Sequence, residues 1–146
     1  MKESKRILLV EDSEAHAKLT KIAFSSVCED YELVHLQDGQ QAIDWLSKEK
    51  DNDMGNLPRF ILLDLNIPTV SGMDVLKNIK NDKILKLIPV IVLTTSSSNS
   101  DIKSSYDLSA NSYIVKPLVF DDFLKLMETL RYYWIDNNKS VDTQFI

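Results

Sequence analysis

The amino-acid sequence predicts an α/β fold in which a parallel sheet of five strands is covered by helices on both faces. Short apolar runs of strand length alternate five times with longer segments of helical periodicity, a pattern typical of βαβ units. The apolar runs are continuous, as expected for strands that are buried on both faces. With 146 residues, of which 44% are hydrophobic, the chain can bury one core, so we expect one domain.

Five apolar runs provide the predicted strands of this sheet. Residues 7–10 are apolar throughout, which favours a strand covered by helices on both sides. Pro89 can open the fourth strand, because the first residue of a strand need not donate to the hydrogen-bond ladder. In chain order, the predicted strands cover residues 7–10, 31–36, 60–63, 89–93 and 113–115.

The segments between and after these strands have the apolar spacing of helices. Ser13 can cap the first helix, which is predicted to end near Cys28. In the last helix, Phe120, Phe123 and Met127 are expected to lie in the core. The other predicted helices lie around residues 42–46, after Gly72 and over residues 101–108, and the last begins near Asp121.

Two polar segments are predicted to lie outside these elements. Residues 48–58 are expected to form a loop, which is longer than the usual connection of about 2–6 residues. Residues 136–146 are expected to form a flexible C-terminal tail. The domain is therefore predicted to cover residues 5–135.

Composition and charge exclude several classes of function. The chain has 17 Lys and Arg residues against 22 Asp and Glu residues, a formal charge of −5, and no basic run that would bind nucleic acid. No apolar run approaches the roughly 20 residues that span a bilayer, so we expect no membrane association. The single cysteine, Cys28, cannot form an internal disulfide, and we therefore expect a cytoplasmic protein.

Polar side chains follow four of the predicted strands, at the point where each strand ends. Because ligands of open parallel sheets bind outside the carboxyl ends of the strands, we expect these side chains to form one site. They are Glu11 and Asp12 after the first strand, Asp64 and Asn66 after the third, Thr94 after the fourth and Lys116 after the fifth.

This set of residue types predicts phosphoryl-transfer chemistry. Three carboxylates in one crevice repel one another unless a cation neutralises them. Carboxylate and carbonyl oxygens suit Mg²⁺, which also orients phosphate oxygens. A carboxylate nucleophile, a metal ion, an ammonium and a hydroxyl together can position a phosphoryl group and neutralise its charge.

Four segments give the sequence a family resemblance. They are residues 8–12 (LLVED), 62–68 (LLDLNIP), 89–94 (PVIVLT) and 113–117 (YIVKP). In their order and spacing they resemble the receiver domain of two-component response regulators, over residues 5 to about 134. The resemblance implies a flavodoxin-like (βα)5 fold with strand order 2-1-3-4-5. It also implies a phosphoacceptor that assists its own phosphorylation and dephosphorylation and is not otherwise an enzyme.

The resemblance assigns roles to the acidic residues. Asp64 is implied to be the phosphoacceptor, which takes its phosphoryl group from a sensor histidine kinase. Asp12, Asp64 and the backbone carbonyl of Asn66 are implied to hold Mg²⁺, with Glu11 reaching the ion through water. We expect Asn66, together with Ser96, to flank the water that hydrolyses the phosphoryl group.

The resemblance also implies a switch. Thr94 would bond the phosphoryl group, Lys116 would neutralise one of its oxygens, and Tyr113 would then rotate inward. The Lys116–Pro117 peptide bond would be cis, a form open to X–Pro bonds at roughly 0.5–1 kcal/mol. The surface formed by the fourth helix, fifth strand and fifth helix would change, and we expect a homodimer through the fourth and fifth helices that phosphorylation strengthens.

Within the family, the chain looks most similar to small single-domain regulators that work with phytochrome-type histidine kinases. The features behind this interpretation include the long segment before Pro58 and the aromatic residues Tyr132, Tyr133 and Trp134 of the final helix. The light-sensing partner is implied by resemblance alone.

Two alternatives remain open at this point. One is a Mg²⁺-dependent phosphatase that uses Asp64 as a nucleophile on small phosphates, although position 66 is Asn where a second catalytic Asp would be expected. The other is an adaptor that binds partners without phosphorylation.

We expect His16 and His35 to be partly exposed structural residues that lie away from the site.

Overall fold

The computed structural model describes residues 4–146 and contains one sheet of five strands. All four strand pairings are parallel, and the spatial order β2-β1-β3-β4-β5 confirms the expected topology. The strands are β1 (Arg6–Val10), β2 (Glu32–Leu36), β3 (Ile61–Leu63), β4 (Val90–Thr94) and β5 (Ser112–Val115).

Within the described residues, five α-helices connect or follow the strands. They are α1 (Glu14–Val27), α2 (Gly39–Asn52), α3 (Gly72–Asn81), α4 (Asn99–Asp107) and α5 (Phe120–Leu130). Alternate residues of each central strand point to opposite faces: Leu8 packs into a core formed with α2 and α3, and Leu9 into a core formed with α1 and α5. The sheet is therefore buried on both faces, as its continuous apolar strands predict.

The beginning of α3 fixes the backbone that follows β3. Gly72 donates its N–H to the Leu65 carbonyl at 3.0 Å. A Cβ atom at position 72 would lie 2.3 Å from the backbone oxygen of Asp64. Glycine is therefore required here by close approach of two backbone segments, and this contact positions Asp64 at the carboxyl edge of the sheet.

The predicted loop over residues 48–58 is wrong in its first half. Helix α2 continues to Asn52, and a short 3₁₀ helix, Met54–Asn56, follows it. The last turn of α2 is polar because it faces outward, and it is held by side-chain pairs. Lys50 donates to Asp82 at 2.7 Å, and Lys48, Asp51 and Asn52 are exposed, so the polar composition here is that of the outer side of a helix and does not mark a loop.

The prediction that Phe120 lies in the core is also wrong. Phe123 and Met127 are buried as expected, but Phe120 is 36% exposed. Phe120 is the first residue of α5. The first turn of this helix projects beyond the sheet, and the preceding residues Leu118 and Val119 are exposed as well. The apolar spacing of the sequence continues one turn further than the core does.

After α5 the helix continues as a π-helix, Arg131–Asn137. Arg131 ties this extension to the end of α1 through the Val27 carbonyl at 3.0 Å and Asp30 at 2.5 Å. Arg59 donates to the carbonyls of Ile135 and Asn138, where the predicted tail begins; the flexibility of that tail stays a prediction.

None of the helices within residues 4–146 combines the length and apolar character needed to cross a bilayer.

Candidate functional site

Three carboxylates meet at the carboxyl edge of the sheet, as the sequence predicts. Oxygens of Glu11, Asp12 and Asp64 all lie within 4.8 Å of one another. Glu11 and Asp64 are buried, and Asp12 is exposed at the mouth of the crevice. Because the available metal ligands are all carboxylate oxygens, they suit a hard divalent cation such as Mg²⁺.

Lys116, which follows β5, links the two buried carboxylates. Its ammonium donates to Asp64 Oδ2 at 2.7 Å and to Glu11 Oε1. It also contacts Nδ1 of His16 at 3.0 Å. The backbone N–H of Lys116 donates to the Thr94 carbonyl at 2.7 Å, which fixes the residue at the end of the strand.

Burial and the lysine charge shift the pKa values of the two buried acids in opposite directions. Burial disfavours ionisation of Asp64, but the hydrogen bond and positive charge of Lys116 outweigh it and hold the Asp64 pKa below its ordinary value. For Glu11, burial dominates and, with repulsion from Asp64, raises the pKa to about 7 against the pull of Lys116. Asp64 is therefore ionised at neutral pH, while metal-free Glu11 retains its proton to a higher pH than an ordinary carboxylic acid does.

The backbone around Glu11 is held from two sides. Its N–H donates to the Leu36 carbonyl at 3.0 Å. Nε2 of His35 lies 2.7 Å from the Glu11 carbonyl and must be the donor, because a carbonyl only accepts. The Ser13 side chain accepts from the backbone N–H of His16, which starts α1 directly after the acidic pair and confirms the predicted cap.

Asn66 contacts the Asp64 side chain through its backbone. Its N–H donates to Asp64 Oδ1 at 3.1 Å, while Lys116 occupies the other carboxylate oxygen. The carboxylate is thereby oriented by two donors. The side chain of Asn66 is exposed at the edge of the site.

Thr94 has a buried hydroxyl that needs a partner. The residue is fully buried at the end of β4, and within residues 4–146 its Oγ1 has no hydrogen-bond partner. An unsatisfied buried polar group costs about 1–3 kcal/mol. A phosphoryl oxygen at this edge of the sheet would supply the missing acceptor.

Tyr113 and Ser96 form a separate contact beside the site. The Tyr113 hydroxyl donates to the Ser96 carbonyl at 2.8 Å, and Ser96 Oγ donates to Asp101 at 2.6 Å. Tyr113 also packs against the core, and burial raises its pKa. The Tyr113 hydroxyl is thereby anchored to the segment between β4 and α4.

Comparison with known proteins identifies the family. Residues 7–128 match the response regulator receiver domain. This chain belongs to the receiver domain family. It is 42% identical to the probable methanogenesis regulatory protein FilR2 of Methanothrix harundinacea, over 92% of this chain and 86% of that protein. It is 39% identical to response regulator Rcp1 of Synechocystis sp., over 90% of this chain and 90% of that protein.

Two solved structures share the fold of this receiver domain. The phosphorylated cyanobacterial phytochrome response regulator RcpA has a TM-score of 0.87 at 36% identity, covering 95% of this chain and 99% of that chain. The Mn²⁺-bound form of Rcp1 has a TM-score of 0.83 at 37% identity, covering 94% of this chain and 99% of that chain. One of these relatives therefore carries a phosphoryl group and the other a divalent cation.

The expectation of a cis peptide bond before Pro117 is wrong for this receiver domain. The described residues contain no cis peptide bond. The trans form of an X–Pro bond is favoured by roughly 0.5–1 kcal/mol. With this trans bond the Lys116 ammonium already reaches both Asp64 and Glu11, so its geometry does not require the cis form.

The expectation that both histidines lie away from the site is also wrong. His16 contacts Lys116, and His35 supports the Glu11 backbone. A sequence signal for His16 exists, because it lies in the first turn of α1, four residues after Asp12. Side chains of a helix point back toward its N-terminus, which directs this imidazole to the strand end.

Proposed function

We propose that this receiver domain is a phosphorylation-dependent switch in which Asp64 accepts a phosphoryl group from a histidine kinase. The observation that carries the proposal is the environment of Asp64, a buried carboxylate with a lowered pKa, held at 2.7 Å by Lys116 beside two further acids. Membership of the receiver family supports the same role and does not favour the phosphatase or the adaptor.

The acidic cluster is suited to hold Mg²⁺. Asp12, Asp64 and the Asn66 backbone carbonyl would bind the ion, with Glu11 reaching it through water. When bound, Mg²⁺ neutralises the carboxylates and orients the phosphoryl oxygens. The relative Rcp1 has been solved in a Mn²⁺-bound form, which supports a divalent cation for this chain as well.

The chemical step uses residues that are already in place. An Asp64 carboxylate oxygen attacks the phosphorus of a phosphohistidine, the P–N bond breaks, and the imidazole of the kinase leaves with the electron pair. The product is a mixed anhydride between phosphate and Asp64. Lys116 neutralises one phosphoryl oxygen, and the unpaired hydroxyl of Thr94 donates to another, so both groups act on charge that develops during transfer.

The switch follows from the charge of the phosphoryl group. Its oxygens bring strong acceptors next to Thr94, and a shift of Thr94 changes the packing of the β4–α4 segment. Tyr113, already bonded to Ser96 in that segment, is held more firmly in its anchored position. Phosphorylation therefore stabilises one conformation of the surface that α4, β5 and α5 form.

This surface, the α4–β5–α5 face, exposes apolar side chains suited to a partner. Val115 and Val119 are 43% and 55% exposed, and Leu118 is 95% exposed. Tyr106 of α4 is 50% exposed. A cluster of exposed apolar side chains is typical of a protein interface, and we propose that it forms a homodimer that phosphorylation strengthens.

The kinase partner is proposed from the relatives. RcpA is a phytochrome response regulator, and its likeness to this chain supports a phytochrome-type histidine kinase as the phosphoryl donor. A cytoplasmic location agrees with the single buried cysteine.

Intact-mass analysis after incubation with acetyl phosphate tests the function. We expect the natural protein to gain one phosphoryl group in Mg²⁺ and none in EDTA. Asp64→Asn should gain none, whereas Asp74→Asn, a change in the exposed first turn of α3, should behave as the natural protein does. Equal labelling of natural protein and Asp64→Asn would refute the assignment.

A further inference from the structure

The imidazole of His16 has a contact that the proposed chemistry does not use. Its Nδ1 lies 3.0 Å from the Lys116 ammonium and 3.7 Å from Glu11 Oε1. The His16 side chain is 40% exposed, whereas those of Lys116 and Glu11 are 4% and 2% exposed. His16 therefore lies between the buried charges and the solvent, at the mouth of the site.

The chemistry of the two groups fixes their hydrogen-bonding roles. An ammonium can only donate, so Nδ1 of His16 must accept. The imidazole is then neutral and carries its proton on Nε2. Lys116 has three N–H donors, and Asp64, Glu11 and His16 supply three acceptors. The ammonium is saturated and has one orientation.

A phosphoryl group on Asp64 requires Lys116 to exchange one of these acceptors. Asp64 is charged and holds the ammonium by an ion pair, and Glu11 would also be charged once a cation replaced its proton; both bonds are then stronger than a bond to a neutral acceptor. His16 is thus the partner that Lys116 can release at least cost. Its position at the mouth also directs the third N–H toward the side from which a phosphoryl donor enters.

We propose that His16 is a positioning residue for Lys116. Before transfer it holds the third N–H of the ammonium toward the entering phosphoryl group, and during transfer a phosphoryl oxygen replaces Nδ1. The inference rests on the proposed function, since it assigns His16 a part in phosphorylation of Asp64. His16 itself forms no covalent bond and moves no proton.

Two substitutions separate positioning from a structural role. His16→Ala removes the acceptor, whereas His16→Asn places an amide oxygen at the same number of bonds from the backbone as Nδ1. With saturating Mg²⁺, we expect acetyl phosphate to label His16→Ala about two- to tenfold more slowly than the natural protein, the effect of one neutral hydrogen bond. His16→Asn should recover most of the rate, and Lys18→Ala, at an exposed position of the same helix, should not change it.

Nitrogen-15 NMR of the His16 ring gives a readout that is independent of labelling. In the metal-free protein we expect the Nε2–H tautomer with Nδ1 as acceptor, and we expect the Nδ1 signal to shift when Lys116 is replaced by Met. Beryllofluoride with Mg²⁺, which mimics the phosphoryl group, should shift the same signal. An Nδ1–H tautomer, or a signal that ignores Lys116→Met, would overturn the proposal.

The outcomes distinguish this inference from the function on which it rests. If the natural protein is labelled and a folded His16→Ala is labelled at the same rate or faster, the role of His16 is refuted and the function stands. If His16→Asn is as slow as His16→Ala, the hydrogen bond is not the cause, and the proposal also fails. If the natural protein is not labelled at all, the proposed function is refuted, and the role of His16, which rests on that function, is refuted as well.

Discussion

At the residue scale, the buried charges of the site balance one another only when Glu11 carries a proton. Lys116 pairs with Asp64 and Glu11, and one positive charge faces two buried acids. The surplus negative charge is resolved by Glu11, whose pKa is raised to about 7 by burial and by Asp64. The metal-free site is thus prepared for a cation, which would replace the proton on Glu11.

This balance predicts how the stability of the metal-free protein depends on pH. Since the Glu11 pKa is raised from 4.5 to about 7 in the folded state, its contribution is fully present below pH 4.5 and is lost as the pH rises through 7. We expect urea unfolding in EDTA to give a free energy of unfolding that falls by roughly 3 kcal/mol across this window.

The control for this prediction is Glu11→Gln, which cannot ionise and should flatten the profile between pH 4.5 and 7. Asp64 acts in a different window, because its lowered pKa gives stability that is lost as the pH falls below 3.8. A natural-protein profile that rises between pH 4.5 and 7 in EDTA would contradict the assigned state of Glu11.

The buried hydroxyl of Thr94 predicts opposite effects on the free and the activated protein. Thr94→Val keeps the side-chain shape and removes an unpaired group, so we expect the free energy of unfolding to rise by about 1 kcal/mol. The stabilisation by beryllofluoride and Mg²⁺ should become smaller, because the phosphoryl mimic loses a donor. Thermal unfolding with and without beryllofluoride measures both effects.

Thr20→Val is the matched control for this change. Thr20 is equally buried, but its hydroxyl donates to the His16 carbonyl at 2.9 Å. Its replacement should therefore not stabilise the free protein and should leave the effect of beryllofluoride unchanged. If Thr94→Val destabilised the free protein as Thr20→Val does, its hydroxyl would have a partner after all.

At the element scale, the site depends on where β3 ends and α3 begins. Gly72 lets α3 start against the backbone of Asp64, where a Cβ atom would lie 2.3 Å from the Asp64 oxygen. We expect Gly72→Ala to cost about 1–3 kcal/mol or more in the free energy of unfolding and to slow labelling of Asp64, as measured by urea unfolding and intact mass.

Gly55→Ala is the corresponding control. Its added Cβ would meet the Asp53 side chain at 3.1 Å, a group that can move, so the cost should be small. If Gly72→Ala were as stable and as active as Gly55→Ala, the close approach of α3 to β3 would not be what positions the site.

The elements also show what the sequence alone can predict. Continuous apolar strands and the acids that follow them are local signals, so the sheet and the set of Asp12, Asp64, Thr94 and Lys116 could be predicted. The end of α2 and the exposure of Phe120 could not be predicted, because they depend on which face of a helix meets the sheet. The place of His16 near the end of β1 follows from its position in the first turn of α1, but its contact with Lys116 depends on a side-chain orientation that the sequence does not specify.

At the scale of the whole molecule, the proposed phosphorylation site and the proposed partner surface are linked through β4 and β5. Thr94 ends β4, and Tyr113 in β5 is bonded to the segment that follows β4. The exposed apolar residues of the α4–β5–α5 face adjoin this pair of strands. A change at Asp64 can therefore reach that face through neighbouring elements of the fold.

Leu118 predicts how this face assembles. It is 95% exposed, so Leu118→Glu should leave the free energy of unfolding nearly unchanged. Sedimentation should show that beryllofluoride and Mg²⁺ promote dimers of the natural protein and not of Leu118→Glu. Ile22→Glu, which changes an exposed residue of α1, should still dimerise, and natural protein that stays monomeric at every concentration would contradict the proposed dimer.

The central claim is that the phosphoryl group is carried by Asp64, and its position can be measured directly. Borohydride reduces an aspartyl phosphate to homoserine, and peptide mass spectrometry locates that homoserine. After incubation with acetyl phosphate and Mg²⁺, we predict homoserine at position 64 and at no other acid of the cluster. Homoserine at position 11 or 12, or none in protein that has gained a phosphoryl group, would contradict the account.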